Sequence, residues 1–424
     1  MLDIKLIRQN QNIVREAIKN KNIDLDLDKL LATDERRRHL LVESESLKAE
    51  QNRRSKGPQS PKDLEELKAL KEKIKLIVDE LSCVEEDFNG LMDKVPTIPA
   101  LDTPQGRDES DNLEIFRTKI PGFKFKPKDH IELARDLDII DFERGVKVAG
   151  FRGYYLKKEG AQLAMALMMF TFNKMVQKGF QPMIPPTLVK GFALHGSGYF
   201  KDWDYNPELD EIYRVEASPH QEHNKYLVGT AEPSLLAYYY DEVLKEEDLP
   251  IRLAGFSQCY RREIGSYGKD TKGLYRVHEF MKVEQVVISK ADLEESDKLQ
   301  QQMVEITKEI HEDLGLPYRV LRICMGDLGT GKYKQFDYEA WLPGSNRWAE
   351  TGSASNFLDW QARRLKIRYV DKNGEKKFVY LLNNTALPTP RPLIAILENY
   401  QTKKGTVIVP KVLRKYMGGM KEIK

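Results

Sequence analysis

From Leu67 to Leu91 apolar residues recur at alternating intervals of three and four: Leu67, Leu70, Ile74, Ile77, Leu81, Val84, Phe88 and Leu91. A repeat of that period is the seam of a coiled coil, and a seam must be buried against another helix. Its start is marked as well. Ser60 can cap, Pro61 suits the first helical position, and Asp63 completes a capping-box arrangement. A second segment dense in Glu, Lys, Arg and Leu runs from Asp34 to about Arg54, offering Leu40, Leu41 and Leu47. With Lys56–Pro61 as the turn, the two form an antiparallel hairpin of roughly 30–45 Å at about 1.5 Å per residue. Such a hairpin is too long and thin for a globular core. It is either a spacer or dimerisation coil, or an arm that meets a partner at a distance. Arg53, Arg54, Lys56 and Lys62 gather at its tip, where a phosphate backbone could be met.

The 424-residue chain is too long for one average domain. Its 68 basic and 66 acidic residues leave a net charge of +2, so any basic surface must be local. Cys83, Cys259 and Cys324 lie far apart, with no CxxC and no nearby histidine pair. This argues against zinc and against a disulfide scaffold, and fits a reducing compartment. The first residues lack an apolar signal core, and no run of about 18 apolar residues occurs. A cytoplasmic protein without a membrane partner is expected.

Residues 1–100 are read as the arm, 101–115 as a Pro- and Gly-bearing linker, and 116–424 as a larger domain. There a buried helix from Ala161 to about Val176 is followed by Pro185-Pro186. Apolar strands centre near Tyr226, Leu253, Val283, Arg319, Phe336 and Val379, and a last helix starts near Arg391. Strands dominate with helices grouped between them, which indicates an α+β fold with a largely antiparallel sheet. Neither GxxxxGK[ST] nor a strand-bound GxGxxG is present, so a P-loop or Rossmann site is disfavoured.

Four segments carry chemistry. Phe256–Glu263 and Phe280–Val287 read as a β-hairpin around a glycine-bearing loop with Gly265, Gly268, Lys269, Asp270, Lys272 and Gly273. Arg261 can grip a phosphate, Glu263 can accept from an exocyclic amine, Phe280 can stack on a base, and Arg276 adds a cation. A salt-bridge ladder would explain those charges but not the aromatic among them. Thr230-Ala231-Glu232 is either a helix cap or a small polar pocket for an ammonium group. Glu350-Thr351-Gly352-Ser353 offers oxygen ligands for a divalent metal. Arg391, at a helix start, suits terminal phosphates or a salt bridge. Together the four favour an ATP-using enzyme.

These residues resemble those of the ordinary, zinc-free seryl-tRNA synthetases across essentially the whole chain. Pro185-Pro186 after the long helix looks like the first class II synthetase motif, Phe256–Val287 the second, and Leu382–Gln401 the third. Thr230-Ala231-Glu232 resembles the serine-pocket motif, and the hairpin resembles the tRNA-binding arm. No HIGH- or KMSKS-like segment of the other synthetase class is present. The third motif carries Pro388, Pro390 and Pro392 where glycines are usual, so this loop is expected to sit differently.

The resemblance implies a helical arm plus a class II catalytic domain, in a homodimer that joins L-serine to tRNA(Ser) through a seryl-adenylate, with tRNA(Sec) a further candidate acceptor. It also assigns roles. Arg261, Glu350 and Arg391 would be catalytic. Thr230, Ala231, Glu232, Glu284 and Thr385 would bind serine with Arg261. ATP would meet Arg261, Arg262, Glu263, Arg276, Val277, Phe280, Glu350, Thr351, Gly352, Ser353 and Arg391, with Mg²⁺ on Glu350 and Ser353 and no zinc. Arg53, Arg54, Lys56 and Lys62 would face tRNA. The rival readings are a noncatalytic RNA-binding or structural paralogue, and a carrier-protein aminoacylating paralogue, which would lack the arm.

Overall fold

The computed structural model describes residues 2–56, 60–200, 205–217, 224–264 and 272–424. The hairpin turn at 57–59 and the loop residues Gly265, Gly268, Lys269 and Asp270 lie outside the described residues. The chain divides into two compact units, Met1–Ile98 and Pro99–Lys424.

In the first unit, helices α1 (Ile4–Gln9) and α2 (Gln11–Asn20) precede two long helices, α3 (Leu27–Arg54) and α4 (Pro61–Asp93). Ser60 accepts from the Asp63 amide while the Asp63 carboxylate accepts from the Ser60 amide, the reciprocal cap expected from sequence. Every position of the 67–91 seam is buried or half-buried. Helix α3 begins earlier than its sequence suggests. Its buried side includes Asp34 and Ser44 among Leu27, Leu30 and Leu40, so the apolar repeat is interrupted. Buried Asp34 accepts from Arg38 (3.1 Å) and pairs with Arg8 (3.5 Å), which compensates its carboxylate. Pairs Arg37–Glu85 (3.4 Å), Glu43–Lys73 (3.4 Å) and Arg54–Glu66 (3.0 Å) run in opposite chain directions, as an antiparallel hairpin requires. The base is closed by Ile7, Val14, Leu27, Leu30, Phe88, Met92 and Val95.

The second unit is α+β. Its central sheet has eight strands: β1 (Leu113–Arg117), β2 (Gln181–Met183), β3 (Ile251–Tyr260), β4 (Glu279–Ser289), β5 (Tyr318–Arg322), β6 (Lys334–Leu342), β7 (Arg347–Leu358) and β8 (Tyr380–Pro388). Their order is β1-β5-β6-β7-β8-β4-β3-β2, antiparallel throughout except for the parallel β2–β3 pair. The stretch expected as a linker, 101–115, carries a 3-10 turn at Glu109–Asp111 and the start of β1. Four helices position the site: α5 (His130–Asp136), α6 (Lys158–Gln177), α7 (Glu232–Ala237) and α8 (Leu293–Asp313). A fifth, α9 (Pro390–Asn399), leaves β8 after the single residue Thr389. Helix α6 buries Leu163, Leu167 and Met175 in the main core. On one sheet face Gln285 and Asn384 donate to Thr307 of α8 (3.3 and 2.9 Å). Successive strand residues point to opposite faces, so Glu284, Asn383 and Thr385 face the other way.

Candidate active site

The site is built by that alternation. On β4, Phe280, Lys282 and Glu284 share a face, paired with Cys259, Ser257 and Gly255 of β3. Arg261 follows β3 two residues beyond Cys259. Its amide donates to His278 O (2.9 Å), and its guanidinium lies 5.5 Å from the Phe280 ring centre. At the mouth of the hairpin Arg276 donates to Glu263 (2.8 Å). Arg261, Glu263, Arg276 and Phe280 line a cleft of ≈ 580 Å³ with Tyr275, Val277, Lys282, Glu350, Thr351, Gly352, Thr385, Pro388, Pro390 and Arg391.

One end adjoins a buried polar cluster. Glu284 lies directly opposite Thr385, whose hydroxyl donates to it at 3.4 Å, because a one-residue bulge at Ala386 resets the β4–β8 register. Lys282 Nζ lies 2.5 Å from Glu284 and 3.3 Å from the Thr385 hydroxyl, with both charged side chains almost fully buried. Glu232 accepts from Tyr199 (2.8 Å), Gln361 (2.7 Å) and Asn383 (2.6 Å). Burial and the nearby Glu284 charge push the Glu232 carboxyl up to about 7. Thr230 does not cap α7, whose N-cap is Ala231. Its buried hydroxyl has no hydrogen-bond partner among the described residues, which is costly unless a ligand supplies one. Gly255 lets α7 sit on β3, since a Cβ there would lie 2.8 Å from Ala231 Cβ.

The other end carries oxygen donors and arginine. Residues three apart on a regular strand face opposite ways, yet Glu350 and Ser353 face the same way. Thr351 is an extra residue on β7, so Ser353 pairs with Asp337 and Glu350 with Glu339 on one face of β6. The Thr351 hydroxyl lies 2.8 Å from Nε2 of His311, a buried imidazole whose pKa burial lowers to about 4. Desolvation and Glu350 raise the Asp337 carboxyl well above its ordinary range. Arg391 donates to Glu350 O (2.9 Å), pairs with its carboxylate (3.4 Å) and lies 4.8 Å from the Tyr275 ring centre. The prolines leave Arg391 in the cleft. Pro390 occupies the start of α9, where its fixed φ suits a helix. Thr389 is bolted to Met281 by hydrogen bonds of 2.9–3.2 Å in both directions.

Not every anticipated residue meets here. Arg262 donates to Pro207 O (2.6 Å) and to Tyr205 (3.1 Å), tying down the 205–210 segment, and is not among the residues lining the cleft. Thr230, Ala231, Glu232, Glu284 and Ser353 adjoin the cleft without lining it. Arg53, Arg54, Lys56 and Lys62 belong to the first unit, exposed near the hairpin tip. The structure adds Lys282, Tyr275, Tyr199, Gln361 and Asn383. Lys282 and Asn383 stand two residues from Glu284 and Thr385, so strand alternation announces them. Tyr199 and Gln361 arrive from distant segments with no local signal.

A strand-bordered cleft of this order, with arginines at both ends and no phosphate loop, defines the catalytic core of a class II aminoacyl-tRNA synthetase. Consistently, residues 213–400 match the family model of the tRNA synthetase class II core domain (G, H, P, S and T), and residues 1–99 match the seryl-tRNA synthetase N-terminal domain. The serine--tRNA ligase of Borreliella burgdorferi (strain ZS7) is 44% identical over 431 residues, covering 99% of this chain and 98% of that protein. The crystal structure of a Pyrococcus horikoshii seryl-tRNA synthetase complexed with ATP superposes with a TM-score of 0.89 at 36% identity, covering 100% of this chain and 99% of that one. A cytoplasmic serine-tRNA ligase from Naegleria fowleri, in complex with AMP, gives 0.87 at 31% identity, with 100% and 99% covered. The chain belongs to the seryl-tRNA synthetase family.

Proposed function

We propose that the cleft condenses L-serine with ATP and that the seryl group then passes to tRNA(Ser). The observation that carries this reading is the Glu284–Thr385 pair beside Arg261: a small pocket able to accept from and donate to a hydroxyl, adjoining a phosphate-gripping cation. Serine's ammonium group goes to Glu232 and Thr230, its hydroxyl to Glu284 and Thr385. Phe280 stacks on adenine, with Glu263, Arg276 and the Val277 backbone at its edge. Arg391 takes the terminal phosphate.

In the first step the serine carboxylate attacks the α-phosphorus and pyrophosphate leaves. No general base is needed because the nucleophile is already ionised. Arg261 stabilises the charge that builds on the phosphorus oxygens. A terminal ribose hydroxyl of tRNA then attacks the acyl carbon and releases AMP. The oxygen-only donor set of Glu350 and Ser353, with Asp337 opposite Ser353, fits Mg²⁺. When bound, such an ion supplies neutralisation of the phosphate charges.

The arm grips tRNA through Arg53, Arg54, Lys56 and Lys62. A homodimer is supported by the exposed apolar residues Met165, Met169 and Val176 on α6 and by Ile184, which is 80% exposed. The protein acts in the cytoplasm. Among the described residues no helix is long and apolar enough to cross a membrane. Serine- and ATP-dependent pyrophosphate exchange tests the reading, with loss of exchange in Arg261→Ala. Exchange with another amino acid alone would overturn it.

A further inference from the structure

His130 stands outside the cleft, yet it joins two segments that line it. The imidazole is buried at the start of α5, and its Nε2 accepts the backbone N–H of Leu274 at 3.1 Å. Leu274 is followed directly by Tyr275, Arg276 and Val277, three of the residues that line the cleft. Because Nε2 accepts, the ring proton must sit on Nδ1, which lies 3.3 Å from Glu398 Oε1 and donates to it. Glu398, fully buried near the end of α9, is held in turn. The His130 amide donates to Oε1 (3.1 Å), the Gly344 and Ser345 amides to Oε2 (2.8 and 3.2 Å), and the Ser345 hydroxyl to Oε1 (3.2 Å). A carboxylate with that many donors is a rigid anchor, and it fixes both the orientation and the tautomer of the ring, as an outer partner does for a metal-bound histidine.

Gly273 completes the fit. Its φ is +74°, and a Cβ there would lie 2.1 Å from His130 Nε2, so the chain passes directly over the ring edge. The same α9 that carries Glu398 holds Arg391 in its first turn, and the Arg391 guanidinium donates to Tyr275 O (3.3 Å). The returning arm of the hairpin is therefore held to α9 at two places, once through Arg391 and once through His130 and Glu398.

We infer that His130 is a positioning residue for ATP: through Glu398 it sets the 273–277 segment so that Tyr275, Arg276 and Val277 stand where the nucleotide is met. This rests on the proposed ATP role of the cleft. Among the described residues the serine cluster of Glu232, Glu284 and Thr385 makes no hydrogen bond to this relay, so the effect is expected on the nucleotide.

Two substitutions divide the ring's functions. His130→Asn keeps an amide near the Nδ1 position for Glu398 but cannot reach Leu274, whereas His130→Gln reaches toward Leu274. In pyrophosphate exchange, His130→Asn is expected to raise KM for ATP about five- to tenfold with KM for serine changed less than about twofold, the size of one lost hydrogen bond. His130→Gln should recover most of that loss. Equilibrium ATP binding should follow the same order. Unchanged ATP affinity in His130→Asn overturns the inference, as does a parallel rise of both KM values with a lowered Tm, which marks a purely structural role. The unsubstituted chain is the control: absence of serine-dependent exchange there counts against the activity assignment and leaves the ATP-binding comparison to decide the role of His130.

Discussion

Lys282 Nζ lies 2.5 Å from Glu284 Oε2, and neither side chain is more than 6% exposed. A buried pair of this kind adds little net stability, but removing one partner strands the other. Lys282→Met should therefore lower unfolding stability by roughly 3–5 kcal/mol and impair serine activation, because Glu284 loses the cation that orients it. The double variant Lys282→Met/Glu284→Gln should recover stability without recovering exchange. Denaturant unfolding and exchange assays on the three variants check this. Recovery of both properties together would show the pair to be structural.

The second prediction concerns pH. Glu232 is pushed up to about 7 by burial and by Glu284. An ionised Glu232 is the form that accepts an ammonium group, so kcat/KM for serine should rise with pH through about 7 and level off above it. The stability term has the opposite sign. A carboxyl raised above its unfolded value favours the folded state at low pH, and that contribution is lost as pH climbs from the ordinary carboxylate range through about 7. Glu232→Gln should abolish the Glu232 limb of the kcat/KM profile while lowering its plateau. A profile identical in shape to that of the unsubstituted enzyme would rule Glu232 out as the titrating group.

The arm was legible because its signals are local: a 3.5-residue seam and a cap at Ser60 and Asp63 need no distant partner. Asp34 hid the start of α3, since its burial is compensated by Arg38 and Arg8, contacts a hydropathy pattern does not register. In the larger unit, alternation along β4 makes Phe280, Lys282 and Glu284 readable as one face. Glu350 and Ser353 show the limit. Their spacing alone puts them on opposite faces, and only the bulge at Thr351, beside His311 of α8, brings them together. The prolines around Arg391 invited the expectation of a displaced loop. They fill a strand end and a helix start, separated by one residue bonded to Met281.

Serine must be told from alanine by its hydroxyl. Thr385→Val keeps the shape of the side chain and removes the group that faces Glu284 and Lys282. A site built around a hydroxyl loses more than one contact when its polar groups are left unpaired, so kcat/KM for serine should fall roughly 10- to 100-fold. KM for ATP should change little, since the nucleotide is assigned to the other end of the cleft. Competition between serine and alanine in the exchange assay reads the selectivity directly. Undiminished preference for serine would remove Thr385 from the pocket.

The arm's role calls for a deletion that respects its base. Phe88 and Met92 of α4 pack with Ile7, Val14, Leu27 and Leu30, so excising most of α4 would unfold the unit rather than shorten it. Glu43 faces Lys73 across the hairpin, which marks a level at which the two helices can be rejoined. Replacing residues 45–71 by a short glycine-bearing turn removes Arg53, Arg54, Lys56 and Lys62 together and leaves the base cluster untouched. Serine- and ATP-dependent exchange should persist at the level of the intact chain. Charging of tRNA should fall by at least about tenfold, and its KM for tRNA should lose part of its salt dependence, as expected when phosphate contacts are removed. Full charging by the shortened chain would refute tRNA binding by the hairpin tip and return the arm to the role of a spacer.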